Sequence, residues 1–187
     1  ILDPEFDDLI RLKNPTTPVS KRIELLDYSV IWNNEFLRRV SKNEDWLLVS
    51  KVDAPDLHDA FYNKRDKFSE ILEKYLSEHS KVDVNSFFSE SFDSDKVKKG
   101  KGVVVNARDL FKTFLKQRQE TGRIYCGNVD TLNDNSPYDK DVVRMLNLCS
   151  ETALPTRGFN KVSSLDNPVS EDDGLVGLCF LLATDWG

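Results

Sequence analysis

The residues best suited to chemistry lie in the run Asn147-Leu148-Cys149-Ser150-Glu151, where a thiol stands two positions from an amide and two from a carboxylate. In an extended segment, residues i, i+2 and i+4 point to the same side. The side chains of Asn147, Cys149 and Glu151 would then face one small volume. A hydrogen-bonding amide, a redox-capable sulfur and a general base together suit chemistry on a polyhydroxylated substrate such as a sugar.

A structural interpretation of the same run stays open. A free cysteine is most often a small buried hydrophobic residue, and the neighbouring Asn147 and Glu151 would suit a loop surface equally well. A short motif taken alone is a hypothesis with a high risk of a false match.

The elements that must position this run alternate between strand and helix, which indicates the α/β class. Short apolar runs predict strands at Asp27 to Ile31, Trp46 to Val49, Arg123 to Cys126 and Gly174 to Ala183. Helical apolar spacing and capping residues predict helices over Phe6 to Leu12, from Asn33 or Asn34 through Val40, over Asn63 to Glu78, and over Ala107 to Thr121 between an Asn106 cap and a Gly122 stop.

Two further segments are predicted to lie outside regular structure. The stretch from Ser80 to Gly102 is rich in Ser, Asp and Lys, and we interpret residues 80–102 as an insertion on the surface of a single unit spanning residues 1–187. A polar loop is expected to lead from the strand ending at Cys126 to Asn147, with Cys126 itself buried or half-buried.

Composition excludes several classes of protein. The net charge of −6 gives no basic surface for nucleic acid, and no apolar run reaches the ~18 residues of a membrane span. Three cysteines without framework spacing argue against a disulfide scaffold and favour a reducing, cytoplasmic location. His58 and His79 lie far from Cys149 in sequence and form no metal-ligand pattern, so we predict no metal site and place both at the surface.

Several other motifs flank the Cys149 run in a fixed order. They are Leu12-Lys13-Asn14, Asp27-Tyr28-Ser29-Val30, Asp53 to Phe61, Thr121 to Tyr125, Asn128-Val129-Asp130, Asn135 to Tyr138, Ala153-Leu154-Pro155-Thr156 and Gly177-Leu178-Cys179. In this order and spacing the chain resembles the large, catalytic subunit of class Ia ribonucleotide reductase over nearly its whole length. The family's subunit is several times longer, so the chain resembles a central fragment, either from a split gene or excised.

The resemblance implies a fold and a set of roles. The family fold is a ten-stranded α/β barrel in which a finger loop carries the radical cysteine, and this chain would supply some of the strands. Cys149 would form the thiyl radical, Glu151 would act as general base and Asn147 would hold the substrate hydroxyls. Cys179 matches one of two thiols that become a disulfide, although a core thiol within an apolar strand is the alternative reading.

The family also implies partners. A radical-generating small subunit with a metal centre, a thioredoxin- or glutaredoxin-type reductant and a ribonucleoside diphosphate substrate would be needed, with no cofactor bound directly by this fragment. Other fragments of the large subunit would complete the barrel, and neither nucleic acid nor a membrane is an expected partner.

The chain departs from the family pattern at three places, one of which is Ser150, where the family more usually has an apolar residue. Pro15-Thr16-Thr17-Pro18 replaces a Gly- and Arg-containing turn, which leaves Lys21 and Arg22 as the basic residues of a possible substrate-specificity loop or of a plain solvated loop. The residues after Cys179 are also unusual. A catalytically inactive remnant, or an assembly and binding subunit of a split reductase, is therefore the alternative function.

Overall fold

The computed structural model describes residues 1–23, 25–84, 102–136, 142–147, 150 and 153. Its α-helices are α1 (Phe6–Arg11), α2 (Asn34–Lys42), α3 (Pro55–Asn63), α4 (Phe68–Glu78), α5 (Ala107–Thr121) and α6 (Val129–Asp134). Its strands are β1 (Ser29–Trp32), β2 (Asp45–Leu48), β3 (Val103–Asn106) and β4 (Tyr125–Asn128). Short 3-10 helices cover Val19–Lys21 and Arg65–Lys67.

The four described strands pair in two separate sheets. Strands β1 and β4 are parallel, with Ser29 opposite Tyr125 and Trp32 opposite Asn128. Strands β2 and β3 are antiparallel, with Asp45 opposite Asn106. The described part of the chain is therefore a mixed α/β arrangement whose parallel pair joins distant parts of the sequence.

An aromatic cluster fills the core between the two sheets and the helices. The ring centroids of Phe36 and Trp46 are 4.9 Å apart, and that of Trp32 lies 5.3 Å from that of Phe114, both in edge-to-face geometry. Phe36 and Trp46 are completely buried. Edge-to-face pairs contribute about 0.5–1.5 kcal/mol beyond the burial of apolar area, so this cluster fixes how α2 and α5 pack on the strands.

Asparagine caps begin three of the helices. Asn33 Oδ1 accepts the N–H of Phe36 at the start of α2, and Asn106 and Asn128 accept two N–H groups each at the starts of α5 and α6. At the other end of α5, Gly122 has a φ of 64°, the left-handed conformation that glycine adopts without a steric cost.

Several sequence predictions are confirmed. The helix at Phe6, the Asn33-capped helix and the helix over Ala107 to Thr121 are all present, the last with both predicted caps. The three predicted strands that fall on described residues are also present, each shifted by one to two residues. Cys126 is half-buried in β4, as expected.

Other predictions are wrong. The helix expected from Asn63 begins at Phe68, because α3 ends at Asn63 and Lys64 has the non-helical angles φ −134° and ψ 53°. The loop expected before Asn147 contains α6. Strand β3 was not expected, because its apolar run of three valines is shorter than the runs that indicate a strand.

The two histidines are not simple surface residues. His58 Nε2 lies 2.9 Å from the carbonyl oxygen of Val49, and His79 Nδ1 lies 2.7 Å from that of Tyr75. Both side chains are half-buried. The surface placement was inferred from the lack of a metal-ligand pattern and the distance from Cys149 in sequence, neither of which reports on burial.

Residues 85–101, the greater part of the expected insertion, lie outside the described residues. Its first residues contact the sheet: the Val82 N–H donates to the Val104 carbonyl at 2.8 Å, and the Val104 N–H donates to the Ser80 carbonyl at 3.2 Å. Val84 is buried.

Candidate functional site

The carboxyl ends of the parallel strands β1 and β4 lie side by side, and a helix begins directly after each. Trp32 pairs with Asn128 at this edge, and the capping residues Asn33 and Asn128 start α2 and α6 there. Ligand sites of parallel α/β sheets form at this edge, where strand ends and helix N-termini meet. The candidate site is therefore centred on this edge.

Asp130 joins the two helix starts. Its Oδ2 accepts the N–H of Asn34 at 2.6 Å, and its Oδ1 accepts from Arg65 Nη1 at 3.3 Å. Asn128 Nδ2 donates to Asn34 Oδ1 at 2.7 Å. Burial opposes the charge of Arg65, yet the hydrogen bonds that it donates to Asp134 and Asp130 leave the pKa of its guanidinium above the ordinary value. Because these groups satisfy one another, the network braces the strand ends.

The segment of residues 142–147 lies against this braced edge. Val143 is completely buried, and its N–H and carbonyl both bond to the side chain of Asn133, at 2.8 and 2.9 Å. Arg144 Nη2 donates to Asn63 Oδ1 at 3.2 Å, and its guanidinium lies 5.9 Å from the ring centre of Tyr62.

Leu146 contacts β4 at Gly127. A Cβ atom at Gly127 would lie 3.0 Å from Leu146 Cδ1 and 3.2 Å from Ile31 Cδ1. Glycine is the residue that permits such a close approach. The contact seats the residue immediately before Asn147 on the parallel strand pair.

Asn147 is half-buried, and its carbonyl accepts the N–H of Ser150 at 3.0 Å. Ser150 has a φ of 64°, which is left-handed and not extended. Ser150 therefore departs from the extended backbone on which the grouping of the Asn147, Cys149 and Glu151 side chains was predicted.

Of the residues predicted to do the chemistry, the structure describes Asn147. Cys149, Glu151 and Cys179 lie outside the described residues. Sequence reasoning missed Asn133 and Gly127, which hold the segment before Asn147. Asn133 stands in the polar run Asn133-Asp134-Asn135-Ser136, whose composition is that of an ordinary loop.

The loop that carries Lys21 and Arg22 is closed at its base. The Ile23 N–H donates to the Leu12 carbonyl at 2.9 Å, and Lys13 forms an ion pair with Asp27. Lys21, at the end of a 3-10 helix, is exposed, and Arg22 is half-buried. The loop therefore has a fixed base and an exposed tip.

Asn14 ties this loop to α5. It is buried, and its Nδ2 donates to Gln117 Oε1 at 2.7 Å and to Glu120 Oε2 at 2.6 Å. Its Oδ1 accepts from the Thr16 N–H at 2.8 Å. The motif Leu12-Lys13-Asn14 thus has a structural role that sequence alone did not assign.

A hydrophobic cavity of about 310 Å³ lies beside β1, lined by Leu2, Phe6, Ile10, Val30 and Phe61 among others. Tyr28 and His58 also border it, and their polar atoms bond to the main-chain carbonyls of Ile10 and Val49. Burial raises the pKa of Tyr28 to about 12. Because both polar groups already bond to the main chain, the cavity is suited to packing of apolar groups.

No helix within the described ranges is long and apolar enough to cross a membrane. Across the same ranges, no group of three or more His, Cys, Asp or Glu side chains is arranged to hold a metal ion. Cys126 is a free thiol at 3.3 Å from Arg118 Nη1.

Comparison with known proteins gives one family. The family model of the ribonucleotide reductase barrel domain matches residues 1–181. The chain is 32% identical over 185 residues to the ribonucleoside-diphosphate reductase subunit alpha of Haemophilus influenzae, an alignment that covers 98% of this chain and 21% of that protein.

Two further relatives are subunits of the same kind. The ribonucleoside-diphosphate reductase 1 subunit alpha of Salmonella typhimurium is 37% identical over 84% of this chain and 18% of its own length. That of Escherichia coli is 35% identical over 83% of this chain, again 18% of its own length. The chain therefore spans about a fifth of the length of the curated relatives that it matches.

Proposed function

The chain belongs to the ribonucleotide reductase barrel-domain family, and we propose that it is part of the catalytic subunit of a ribonucleoside-diphosphate reductase. The observation that carries this proposal is the match of the family over residues 1–181, which includes the whole Asn147-to-Glu151 run. The related proteins are named as alpha subunits of ribonucleoside-diphosphate reductase. The reaction proposed is the conversion of a ribonucleoside diphosphate to the deoxyribonucleoside diphosphate.

The proposed roles follow from the chemistry of the side chains. Direct loss of a ribose 2′-hydroxyl is slow because hydroxide is a poor leaving group. A Cys149 thiyl radical would take the 3′ hydrogen atom, which makes loss of the 2′-hydroxyl as water feasible, and would return a hydrogen atom at the end. Glu151 would accept the 3′-hydroxyl proton, and Asn147 would hydrogen-bond the sugar hydroxyls and hold them in register.

The two electrons for the reduction would come from thiols. Cys179 would be one, and its partner would lie in a part of the subunit outside these 187 residues. The two thiols would become a disulfide while substrate becomes deoxy product and water, and a thioredoxin- or glutaredoxin-type reductant would reduce that disulfide. A small subunit with a metal centre would supply the radical that oxidises the Cys149 thiol.

The proposed architecture is the family's ten-stranded barrel with a finger loop, completed by other parts of the subunit. Residues 80–102 are proposed as an insertion whose first residues are anchored by the bonds of Ser80 and Val82 to Val104 and whose remainder lies on the surface. The loop with Lys21 and Arg22 is proposed as the substrate-specificity loop. The fixed base and exposed tip of that loop support the second assignment.

The test is to combine the chain with the remaining parts of the subunit, with a radical-generating small subunit and with a dithiol reductant, and to measure deoxynucleotide formation from each ribonucleoside diphosphate. We expect Cys149→Ser to abolish product formation. Cys126→Ser is the matched control and should retain activity, because Cys126 lies in β4 against Arg118. Equal activity of both variants and the wild type would refute the assignment of Cys149.

A second candidate function is an inactive assembly subunit of a split reductase. Exposed apolar side chains favour it: Leu25 is 98% exposed, Val52 89% and Val19 79%. Such residues are suited to contact with another chain. A complex that forms with the other parts of the subunit yet gives no product with wild-type Cys149 would support this alternative.

A further inference from the structure

The side-chain amide of Asn133 pairs with the main chain of Val143. Asn133 Oδ1 accepts the Val143 N–H at 2.8 Å, and Asn133 Nδ2 donates to the Val143 carbonyl at 2.9 Å. These two bonds are the pair that a neighbouring antiparallel strand exchanges with one residue. Asn133 Nδ2 also donates to the carbonyl of Val129, in its own helix, at 2.8 Å.

An amide is the side-chain group that can make all three of these hydrogen bonds. It offers two N–H donors and an acceptor oxygen in one plane, whereas a carboxylate only accepts and a hydroxyl has a single donor. Val143 is completely buried, so its peptide groups cannot turn to water if Asn133 is lost. An unsatisfied buried peptide group is costly, and the pairing therefore fixes the position of Val143.

The position of Val143 determines that of Asn147. Between them, Arg144 bonds to Asn63 and Leu146 seats against Gly127. Residues of α6, α3 and β4 thus hold Val143, Arg144 and Leu146, which are three of the four residues before Asn147. A slip of one residue at Val143 would withdraw Leu146 from Gly127 and turn the Asn147 side chain away from its present direction.

We propose that Asn133 is a positioning residue for the candidate site. Its amide holds residues 143–147 in the register that presents Asn147 to the substrate. Asn133 acts through the backbone of Val143. The chemical part of this inference rests on the function proposed above, whereas the structural part rests on the Asn133–Val143 bonds.

The test compares Asn133→Asp with Asn135→Asp in the assembled enzyme. Asn133→Asp keeps the size of the side chain and its acceptor oxygen. It replaces the donor Nδ2 with a second acceptor oxygen, which would face the carbonyls of Val143 and Val129. Asn135 is exposed, and its Nδ2 donates to the Thr131 carbonyl at 2.8 Å, so the control makes the same chemical change at the end of the same helix.

Two readouts are measured. The first is the rate of alkylation of Cys149 by iodoacetamide relative to that of Cys126, followed by peptide mass spectrometry. We expect Asn133→Asp to raise this ratio about tenfold, as loss of a buried hydrogen bond allows. The second is nucleotide reduction, where we expect a higher KM for the ribonucleotide together with a lower kcat. Identical values in the Asn133 and Asn135 variants would overturn the proposal.

A second variant keeps the test decisive if Asn133→Asp does not fold. Asn133→Ser removes the pairing without adding charge and should change both readouts in the same direction, whereas Asn133→Gln, which keeps the amide, should restore part of the loss. A serine variant equal to the wild type would contradict the positioning role.

The two proposals fail separately. If no form of the enzyme reduces nucleotides but Asn133→Asp still changes the alkylation ratio, the positioning role stands and the reductase function is wrong. If Cys149→Ser abolishes reduction while the Asn133 variants match the Asn135 control, the function stands and the positioning role is wrong.

Discussion

Leu146 Cδ1 lies 3.0 Å from the place that a Cβ atom on Gly127 would occupy. Carbon atoms in favourable contact are about 3.5–4.0 Å apart, so any side chain at Gly127 would displace Leu146. Since Leu146 immediately precedes Asn147, this contact couples the position of β4 to that of the candidate site.

Substitution of Gly127 should therefore impair the site. Gly127→Ala would displace the end of the Leu146 side chain by a few tenths of an ångström, and Gly127→Val by more. We expect kcat for nucleotide reduction to fall by a small factor in the alanine variant and by about tenfold or more in the valine variant, because small misplacements of reacting groups are costly. Steady-state kinetics of the assembled enzyme measure both.

Gly122→Ala is the control for this series. Nothing lies within 4 Å of a Cβ at Gly122, but its φ of +64° disfavours a side chain. We expect a loss of roughly 1–2 kcal/mol in the free energy of unfolding with unchanged kinetics. A Gly127→Val enzyme that kept wild-type kinetics would show that Leu146 does not position Asn147.

Arg39 should contribute far more to stability than its neighbour Arg38. The Arg39 side chain is 2% exposed, forms ion pairs with Glu35 and Glu73, and donates to the Asp45 carbonyl at 3.0 Å. In Arg39→Ala, Glu35, which is 15% exposed, keeps Arg38 but loses its buried partner, and the Asp45 carbonyl loses its donor. The free energy of unfolding should fall by roughly 1.5–3 kcal/mol, the range for a lost hydrogen bond to a charged group. Urea unfolding followed by tryptophan fluorescence measures this difference.

Arg38→Ala is the matched comparison. Arg38 also pairs with Glu35, and with Glu44, but its side chain is 36% exposed. Solvent screening limits such a pair to about 1 kcal/mol or less. Equal losses for the two variants would contradict the assignment of Arg39 as the buried centre of this network.

His58 should make stability depend on pH. Burial lowers the pKa of its imidazole below the ordinary value of 6.5, and this effect outweighs the hydrogen bond to the Val49 carbonyl. The neutral form is favoured in the folded state, so the unfolded state binds more protons below pH 6.5. Stability is therefore full above that pH and falls as the pH drops toward the folded-state pKa.

The measurement is thermal unfolding between pH 7.5 and pH 5, in the wild type and in His58→Gln. Glutamine can still donate to the Val49 carbonyl but does not titrate. We expect the variant to lose less stability than the wild type across this interval. Parallel curves for the two proteins would show that His58 does not contribute to the pH dependence.

Asn106 should stabilise α5 through its cap. Its Oδ1 accepts the N–H groups of Arg108 at 3.0 Å and of Asp109 at 3.1 Å. Asn106→Ala should cost about 1 kcal/mol, whereas Asn106→Ser should cost only a few tenths because serine is an equally good cap. Chemical denaturation of the two variants compares them, and equal losses would exclude capping as the cause.

Local signals in the sequence were sufficient to predict several helices and strands. The helix α5 was predicted at both ends, because its apolar stripe, the Asn106 cap and the Gly122 stop all lie within it or beside it. The start of α4 was predicted too early. The helix is interrupted by the backbone angles of Lys64, and no Gly or Pro stands beside Lys64 to indicate the interruption. The short helix α6 is polar and too brief for a periodic signal.

The contacts that support the candidate site could not be predicted in this way. The residues Asn133 and Val143 are ten apart and come together through the fold, as do Asn14 and Gln117, which are far more distant. The chemistry proposed for the Asn147-to-Glu151 run rests on residue types. The direction of its backbone could not be predicted from them: Ser150 adopts a left-handed φ where an extended one was expected.

The parallel pairing of β1 with β4 has a consequence for how the protein is made. Residues 33–124 separate the two strands, so at synthesis rates of a few to twenty residues per second β1 waits roughly 5–20 s for its partner to leave the ribosome. During that interval its hydrogen-bonding edge and its apolar side chains are open to chaperones or to other nascent chains. Mutations that slow translation between the two strands should therefore reduce the yield of folded protein without changing a single contact in it.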